Sequence, residues 1–132
     1  MAPIIVKRNE PGSCNITHSA CGAEINTDSS PEFGGKGRAF SATDLVVAAV
    51  GACIMTSIDK VAERGGLDPQ QLEITLDKSL ATQPKWIEAI EMVIRHPAGF
   101  DPGLLIKLER AARSCAVKRS LHPDMNVTIR FE

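Results

Sequence analysis

The amino-acid sequence predicts an α+β fold in which an antiparallel sheet is wrapped around a buried central helix. Three observations support this class: a long, almost wholly apolar segment around residues 45–58, short alternating segments on both sides of it, and one amphipathic segment near the C-terminus. Strands that are grouped before and after the helices are typical of α+β proteins. With 132 residues the chain fits one compact domain, 1–132.

Short strands are expected over residues 1–30, followed by a glycine-rich loop over 31–40. The segments PIIVKR, CNITHSA and AEINTD are separated by the turn NEPGS and by Gly22. The next segment, SSPEFGGKGRAFS, contains too much glycine for regular structure. We therefore expect a linker or a mobile flap there.

The apolar segment predicts a core helix over residues 41–65. Ser41 followed by Asp44 has the spacing of a capping box, so Asp44 is expected to be a cap rather than a catalytic acid. Gly65 or Gly66 is expected to end the helix in the left-handed conformation. Because the helix is apolar on nearly every face, we expect it to be enclosed on all sides, by a curled sheet or by a partner subunit.

Two strands are expected over residues 72–96 and a closing strand over 126–132. The segment LEITLDKSL alternates between apolar and polar residues, as a half-buried strand does. The closing strand NVTIRFE alternates in the same way. The residues expected to point inward are Leu72, Ile74, Leu76, Val127, Ile129 and Phe131.

The amphipathic segment predicts a helix over residues 101–120. Asp101 and Pro102 form an N-cap and first-turn pair at its start. One stripe of this helix is apolar and consists of Leu104, Leu108, Ala111 and Cys115.

Composition and charge exclude several classes of function. A net charge of −1 gives no long-range field that would attract nucleic acid or anionic lipid. No signal peptide is visible, and the apolar runs are shorter than the roughly 20 residues that cross a bilayer, so we expect a cytoplasmic protein with no membrane partner. The chain contains no GxxxxGK[ST], GxGxxG, HExxH or GxSxG motif, and we expect no cofactor.

Cys53 and Cys115 are the first candidate site residues. Either could be an inert core thiol, because free cysteine packs as a small hydrophobe. In a cytoplasmic protein, however, thiols stay reduced and are often catalytic. A redox role requires the two sulfurs to meet and requires hydrogen-bond donors or a cation beside the reactive thiolate.

A second group of possible ligands, Cys14, His18 and Cys21, has the spacing C-x3-H-x2-C. On a continuous strand, residues 14 and 18 share a face while 21 points away. Closed zinc sites use four ligands, and no fourth is nearby in sequence. We expect no metal here.

The segments SATDLVVAAVGAC, AERGGLDPQQLEITLD and CAVKRSL…NVTIRFE resemble the OsmC-like family, which includes the organic hydroperoxide resistance proteins. The resemblance covers roughly residues 32–132. Its most specific parts are an apolar helix that ends in G-[AS]-C and a late C-x-V-x-R-x-L motif. These motifs occur in the expected order, with two predicted strands between them.

This resemblance implies an intertwined homodimer, in which the sheets of two interlocked subunits wrap the central helices. It implies thiol-dependent reduction of a small-molecule hydroperoxide, with Cys53 attacking the peroxide and Cys115 resolving the product. The two sulfurs would meet at a pocket near the dimer interface. An external dithiol, of lipoyl type, would be the reductant.

The chain departs from the peroxidase pattern at three positions. The glutamate at the start of the core helix falls on Thr43, with Asp44 beside it as a possible substitute. The arginine near the N-terminus has Arg8 as its nearest candidate, and the proline after the second cysteine is Ala116. Two alternatives therefore stay open: a dimer that binds an apolar ligand or a protein partner without turnover, and other sulfur chemistry such as persulfide handling.

Overall fold

A computed structural model describes residues 2–132 and divides the chain into two compact units, Met1–Val46 and Val47–Glu132. The long helix α1, Ala42–Arg64, begins in unit 1 and continues in unit 2. Each unit contains a three-stranded sheet. The predicted α+β class is confirmed.

Unit 1 is built on an antiparallel meander of β1 (Ile4–Glu10), β2 (Ser13–His18) and β3 (Glu24–Asp28), with β2 in the middle. Most of its side chains are exposed, including several large apolar ones. These are Ile4, Ile5, Val6, Ile25, Phe33 and Phe40. By itself, the unit therefore buries little apolar surface.

The glycine-rich segment after β3 is held in place by one buried carboxylate. Asp28 is 3% exposed and accepts hydrogen bonds from Lys36 N at 3.0 Å, Arg38 N at 3.1 Å and Arg38 Nε at 2.8 Å. The Arg38 guanidinium also binds Glu10. The sequence predicted a loose linker or flap; the glycines instead allow the backbone to approach β3 closely, as at Gly35, where a Cβ would collide with the carbonyl of Ser29.

Both ends of α1 are capped as the sequence predicts. Ser41 N donates to Asp44 Oδ2 at 2.9 Å, and Asp44 N donates to Ser41 Oγ at 3.1 Å, which is a reciprocal capping box. At the other end Gly66 has φ +82°, and Leu67 N donates to the carbonyl of Ala62 at 2.9 Å. This is a Schellman cap, for which glycine is the preferred residue.

The sheet of unit 2 has β5 (Lys85–Arg95) between β4 (Glu73–Thr82) and β6 (Asn126–Phe131). The β4–β5 pair is antiparallel, but β5 and β6 are parallel, which differs from the wholly antiparallel sheet that the sequence suggested. A parallel pair needs a long crossover, and helices between β5 and β6 provide it.

The core of unit 2 lies between this sheet and one face of α1. The largest fully buried side chains are Val50, Ile54, Ile58, Ile90, Met92, Ile94, Leu108 and Cys115. The opposite face of α1 exposes Ala48, Ala49 and Ala52. Within one chain, α1 is therefore covered on one side only, and not enclosed on all sides.

By length and composition alone, α1 is long and apolar enough to cross a membrane. One third of its most apolar stretch is buried within the chain. The buried residues pack into the core of unit 2, and the core helix of a globular protein has the same length and composition.

The helix predicted over residues 101–120 is two helices, α2 (Pro102–Arg113) and α3 (Ala116–Arg119). Asp101 caps α2 as expected, its Oδ1 accepting from Gly103 N at 3.1 Å. The chain then breaks at Cys115, which has an extended ψ of 123° and caps α3 by accepting Lys118 N on its sulfur at 3.3 Å. Cys115 thus lies between two helices instead of on the stripe of one.

Candidate functional site

Cys53 and Cys115 meet in unit 2. Cys53 packs against the buried core that contains Cys115, and each of the two thiols shifts the pKa of the other. Helix α1 positions Cys53, which is half-buried, and the break between α2 and α3 positions Cys115, which is fully buried. The two thiols thus lie in the same part of unit 2, and both are free.

Two backbone groups complete the surroundings of the Cys53 sulfur. The backbone N–H groups of Val117 and Ala116 both lower the pKa of Cys53, and that of Val117 acts on Cys115 as well. These residues open α3, where the first N–H groups have no partner within the helix. In one continuous helix the same groups would bond the carbonyls four residues earlier. The break at Cys115 therefore frees both donors for Cys53.

These contacts move the acidities of the two thiols in opposite directions. The hydrogen bond from Cys115, followed by that from Val117 N, holds the pKa of Cys53 below its ordinary value, although burial opposes this. Burial, followed by the hydrogen bond to Cys53, raises the pKa of Cys115. The site therefore pairs a half-buried thiol of lowered pKa, Cys53, with a buried thiol of raised pKa, Cys115.

No cationic side chain is among the groups, within residues 2–132, that lower the pKa of Cys53. Asp44 serves the capping box, and the Thr43 hydroxyl lies 3.1 Å from that of Ser41. Arg8 lies in β1, opposite Cys14 of β2. Arg8 as the nearest candidate for the arginine and Asp44 as a possible substitute for the glutamate stay predictions, because both residues lie in unit 1 and Cys53 lies in unit 2.

The sequence analysis did not identify the two amide donors, because every residue except proline has a backbone N–H and the sequence does not show which of them faces a site. The available signal was Ala116, at the position where the resemblance leads one to expect proline. Proline has no N–H, so it could not donate at this position. The helix break itself left no signal, since neither glycine nor proline marks it.

Of the three possible ligands Cys14, His18 and Cys21, only the last two lie together. Cys21 Sγ lies 3.2 Å from His18 Nδ1, and both residues are exposed. Cys14 is half-buried in β2, between Arg8 of β1 and Thr27 of β3. In the described part of the chain, residues 2–132, no three His, Cys, Asp or Glu side chains are grouped so that they could hold a metal ion.

Neither Cys53 nor Cys115 lines any of three cavities on the surface of the protein. The largest of the three is an open groove of about 650 Å³ in unit 1, lined in part by Ile25, Arg38 and Phe40. The other two, of about 280 and 300 Å³, lie in unit 2 beside α2. The apolar substrate pocket expected at the thiols is thus not among these three.

Comparison with known proteins agrees with the motifs. The family model described as OsmC-like protein matches residues 35–130. The uncharacterized protein YmaD of Bacillus subtilis (strain 168) is 25% identical over 134 residues, which cover 94% of this chain and 89% of YmaD.

Solved structures show the same fold over the whole chain. A protein of Psychrobacter arcticus 273-4, named for osmotic stress induction and the detoxification response, superposes with a TM-score of 0.93 at 25% identity, covering 100% of this chain and 96% of that one. An organic hydroperoxide resistance protein OsmC from Legionella pneumophila has a TM-score of 0.75 at 18% identity, covering 100% and 98%. The family match spans most of the chain and includes both Cys53 and Cys115, so the protein belongs to the OsmC-like family.

Proposed function

We propose that the protein reduces hydroperoxides, organic ones in particular, through a dithiol cycle at Cys53 and Cys115. The single observation that carries this proposal is that Cys53 packs against the core that contains Cys115, where the two thiols shift each other's pKa in opposite directions. A low pKa favours the attacking thiolate, and a nearby thiol is needed to resolve the oxidised product.

The cycle has three balanced steps. The Cys53 thiolate attacks the outer oxygen of the hydroperoxide; an S–O bond forms, the O–O bond breaks, and the alcohol leaves with the peroxide proton. The Cys53 sulfenate takes a proton from solvent to become the sulfenic acid, which condenses with the Cys115 thiol to give a disulfide and water. An external dithiol, which we propose to be of lipoyl type, then reduces that disulfide by thiol–disulfide exchange.

In this proposal, backbone amides take the place of the cation that would otherwise stabilise the reactive thiolate. Hydrogen bonds to a charged group are each worth about 1.5–3 kcal/mol. The N–H groups of Ala116 and Val117 are fixed by the first turn of α3, so no side chain must be ordered to supply them. Activation of Cys53 then requires neither Arg8 nor Asp44.

We further propose that the working form is a homodimer in the cytoplasm. The exposed face of α1 is lined by small apolar residues, and unit 1 exposes a set of large ones. Exposed apolar surface of this kind marks a protein–protein contact. A second copy of the chain is the proposed partner, and sedimentation equilibrium of the purified protein tests it: a monomer at micromolar concentration would contradict the proposal.

The activity is tested by incubating the protein with cumene hydroperoxide and either dithiothreitol or dihydrolipoamide. We expect the wild type to consume peroxide catalytically and Cys53→Ser to lose that turnover. Cys14→Ser is the matched control, because Cys14 is also half-buried but lies in unit 1, and it should retain full activity. Peroxide consumption by the wild type at the rate of Cys53→Ser would rule out the dithiol cycle.

A second candidate function is binding of an apolar ligand without turnover. The open groove of unit 1 favours it, since Ile25 and Phe40 supply apolar surface there. In that case peroxide would leave Cys53 and Cys115 unlinked, and an apolar small molecule would raise the melting temperature. Rapid formation of a Cys53–Cys115 disulfide under peroxide would instead support the dithiol cycle.

A further inference from the structure

A second pair of a thiol and an imidazole lies in the turn between β2 and β3. Cys21 Sγ is 3.2 Å from His18 Nδ1, and both side chains are exposed. The pair lies in unit 1, outside residues 35–130, which the family model matches, and has no part in the dithiol cycle proposed above. Its chemistry is therefore independent of that function.

The backbone of the turn holds the two side chains together. His18 N donates to the carbonyl of Ala23 at 2.9 Å, and Gly22 N donates to the carbonyl of His18 at 2.8 Å. Gly22 has φ +75°, a conformation that suits glycine and closes the turn directly after Cys21. The hairpin thus holds the backbones of His18 and Cys21 side by side, within reach of each other's side chains.

This geometry suits proton transfer from sulfur to nitrogen. In the tautomer with Nδ1 unprotonated, the Cys21 thiol donates a hydrogen bond to the imidazole. An adjacent base of this kind is one of the ways in which a cysteine becomes a nucleophile. Cys14 provides the contrast within the same sheet, since it is half-buried and its strand neighbours are Arg8 and Thr27.

We propose that Cys21 is a site of reversible mixed-disulfide formation with low-molecular-weight disulfides, with His18 as its base. The Cys21 thiolate attacks one sulfur of the small disulfide; a new S–S bond forms to Cys21 and the original S–S bond breaks. The leaving thiolate takes the proton from the His18 imidazolium. Cys21 is oxidised and the departing thiol is reduced, so the exchange is balanced.

A small disulfide fits this site better than a peroxide does. Exchange needs only an accessible sulfur, and it ends in a single displacement. Peroxide would leave a sulfenic acid that needs a second thiol, and within residues 2–132 the group that Cys21 contacts is an imidazole. The open position of the turn gives any such disulfide access to Cys21.

The test uses the reduced full-length protein and oxidised glutathione as the probe. Peptide mapping by mass spectrometry follows the adduct on each cysteine over time. We expect rapid addition of one glutathione at Cys21, and a rate at least about tenfold lower in His18→Asn, as for loss of a general base. Cys14→Ser is the matched control and should leave the Cys21 rate unchanged.

Equal rates at Cys21 in the wild type and in His18→Asn would overturn the role of His18. Faster addition at Cys14 than at Cys21 would overturn the site itself. Cys21→Ser should still consume cumene hydroperoxide as the wild type does, because the dithiol cycle uses other residues. The proposal for Cys21 and the proposal of a dithiol cycle at Cys53 and Cys115 can therefore be disproved independently of each other.

Discussion

Cys115 lies at the break between α2 and α3, where it is the largest of the influences that lower the pKa of Cys53 on α1. The break has two consequences for the same sulfur atom. It places the Cys115 thiol against Cys53, and it frees the N–H groups of Ala116 and Val117, which also lower the pKa of Cys53. Local backbone geometry thus explains why the pKa of one thiol is lowered while that of its neighbour is raised.

Ala116→Pro removes one of these donors without disturbing the helix. Proline suits the first helical position, and residue 115 already has the extended ψ that a following proline requires. Without the Ala116 N–H, the pKa of Cys53 should rise. We expect alkylation of Cys53 by iodoacetamide at pH 7 to slow by about tenfold, as for loss of a hydrogen bond of about 1.5 kcal/mol to a charged group.

The matched control for this substitution is Ala116→Gly, which keeps the N–H and should keep the alkylation rate within about twofold of the wild type. Thermal melting shows that both variants fold. An unchanged alkylation rate in folded Ala116→Pro would mean that the amide does not activate Cys53.

Two substitutions of Cys115 separate its role as hydrogen-bond donor from its role as resolving thiol. In Cys115→Ser the hydroxyl can still donate to Cys53 and accept Lys118 N, but no disulfide can form. Peroxide should then oxidise Cys53 once, giving a sulfenic acid that dimedone traps. Cys115→Ala loses the donor as well, so the pKa of Cys53 should rise and its alkylation should slow. A wild type that, with one equivalent of peroxide and no added thiol, keeps a dimedone-reactive Cys53 and forms no Cys53–Cys115 disulfide would show that Cys115 does not resolve the sulfenic acid.

The sequence predicts the elements of this fold better than it predicts the contacts of the site. Alternation identifies β4 and β6, and the spacing from Ser41 to Asp44 identifies the start of α1, because these signals are local. The break at Cys115 has no local signal, since cysteine is not a typical N-cap and its partner Lys118 N is a backbone group. The parallel pairing of β5 with β6 was missed for a similar reason: alternation identifies a strand but not the direction of its neighbour.

Asp28 should titrate far below an ordinary aspartate. The Arg38 side chain, followed by the backbone N–H of Lys36, lowers the pKa of Asp28 from 3.8 to about 2. Because the pKa in the folded protein is depressed, the carboxylate stabilises unit 1 above about pH 4, and this contribution is lost as the pH falls through about 2.

The carboxyl ¹³C shift of Asp28, followed by NMR from pH 6 downward, measures this pKa directly. In Arg38→Gln the midpoint should move up towards the ordinary value of 3.8, because the largest cause of the shift is removed. Lys36→Gln is the control, since Lys36 acts on Asp28 through its backbone N–H, which the substitution keeps. A midpoint near 3.8 in the wild type would contradict the ion pair between Asp28 and Arg38.

Gly35→Ala should release the segment that Asp28 holds against β3. A Cβ at residue 35 would collide with the backbone carbonyl of Ser29, which cannot turn aside as a side chain can. Overpacking of this kind costs about 1–3 kcal/mol. Trypsin cuts after Lys36 and Arg38, so we expect cleavage there to be at least about fivefold faster than in the wild type, which corresponds to about 1 kcal/mol in the equilibrium for opening the segment.

Gly103→Ala is the matched control, since a Cβ there makes only ordinary contacts, at 3.4 Å or more, and its cleavage should match the wild type. If Gly35→Ala resists trypsin as well as Gly103→Ala does, the close approach at Gly35 does not hold the segment in place.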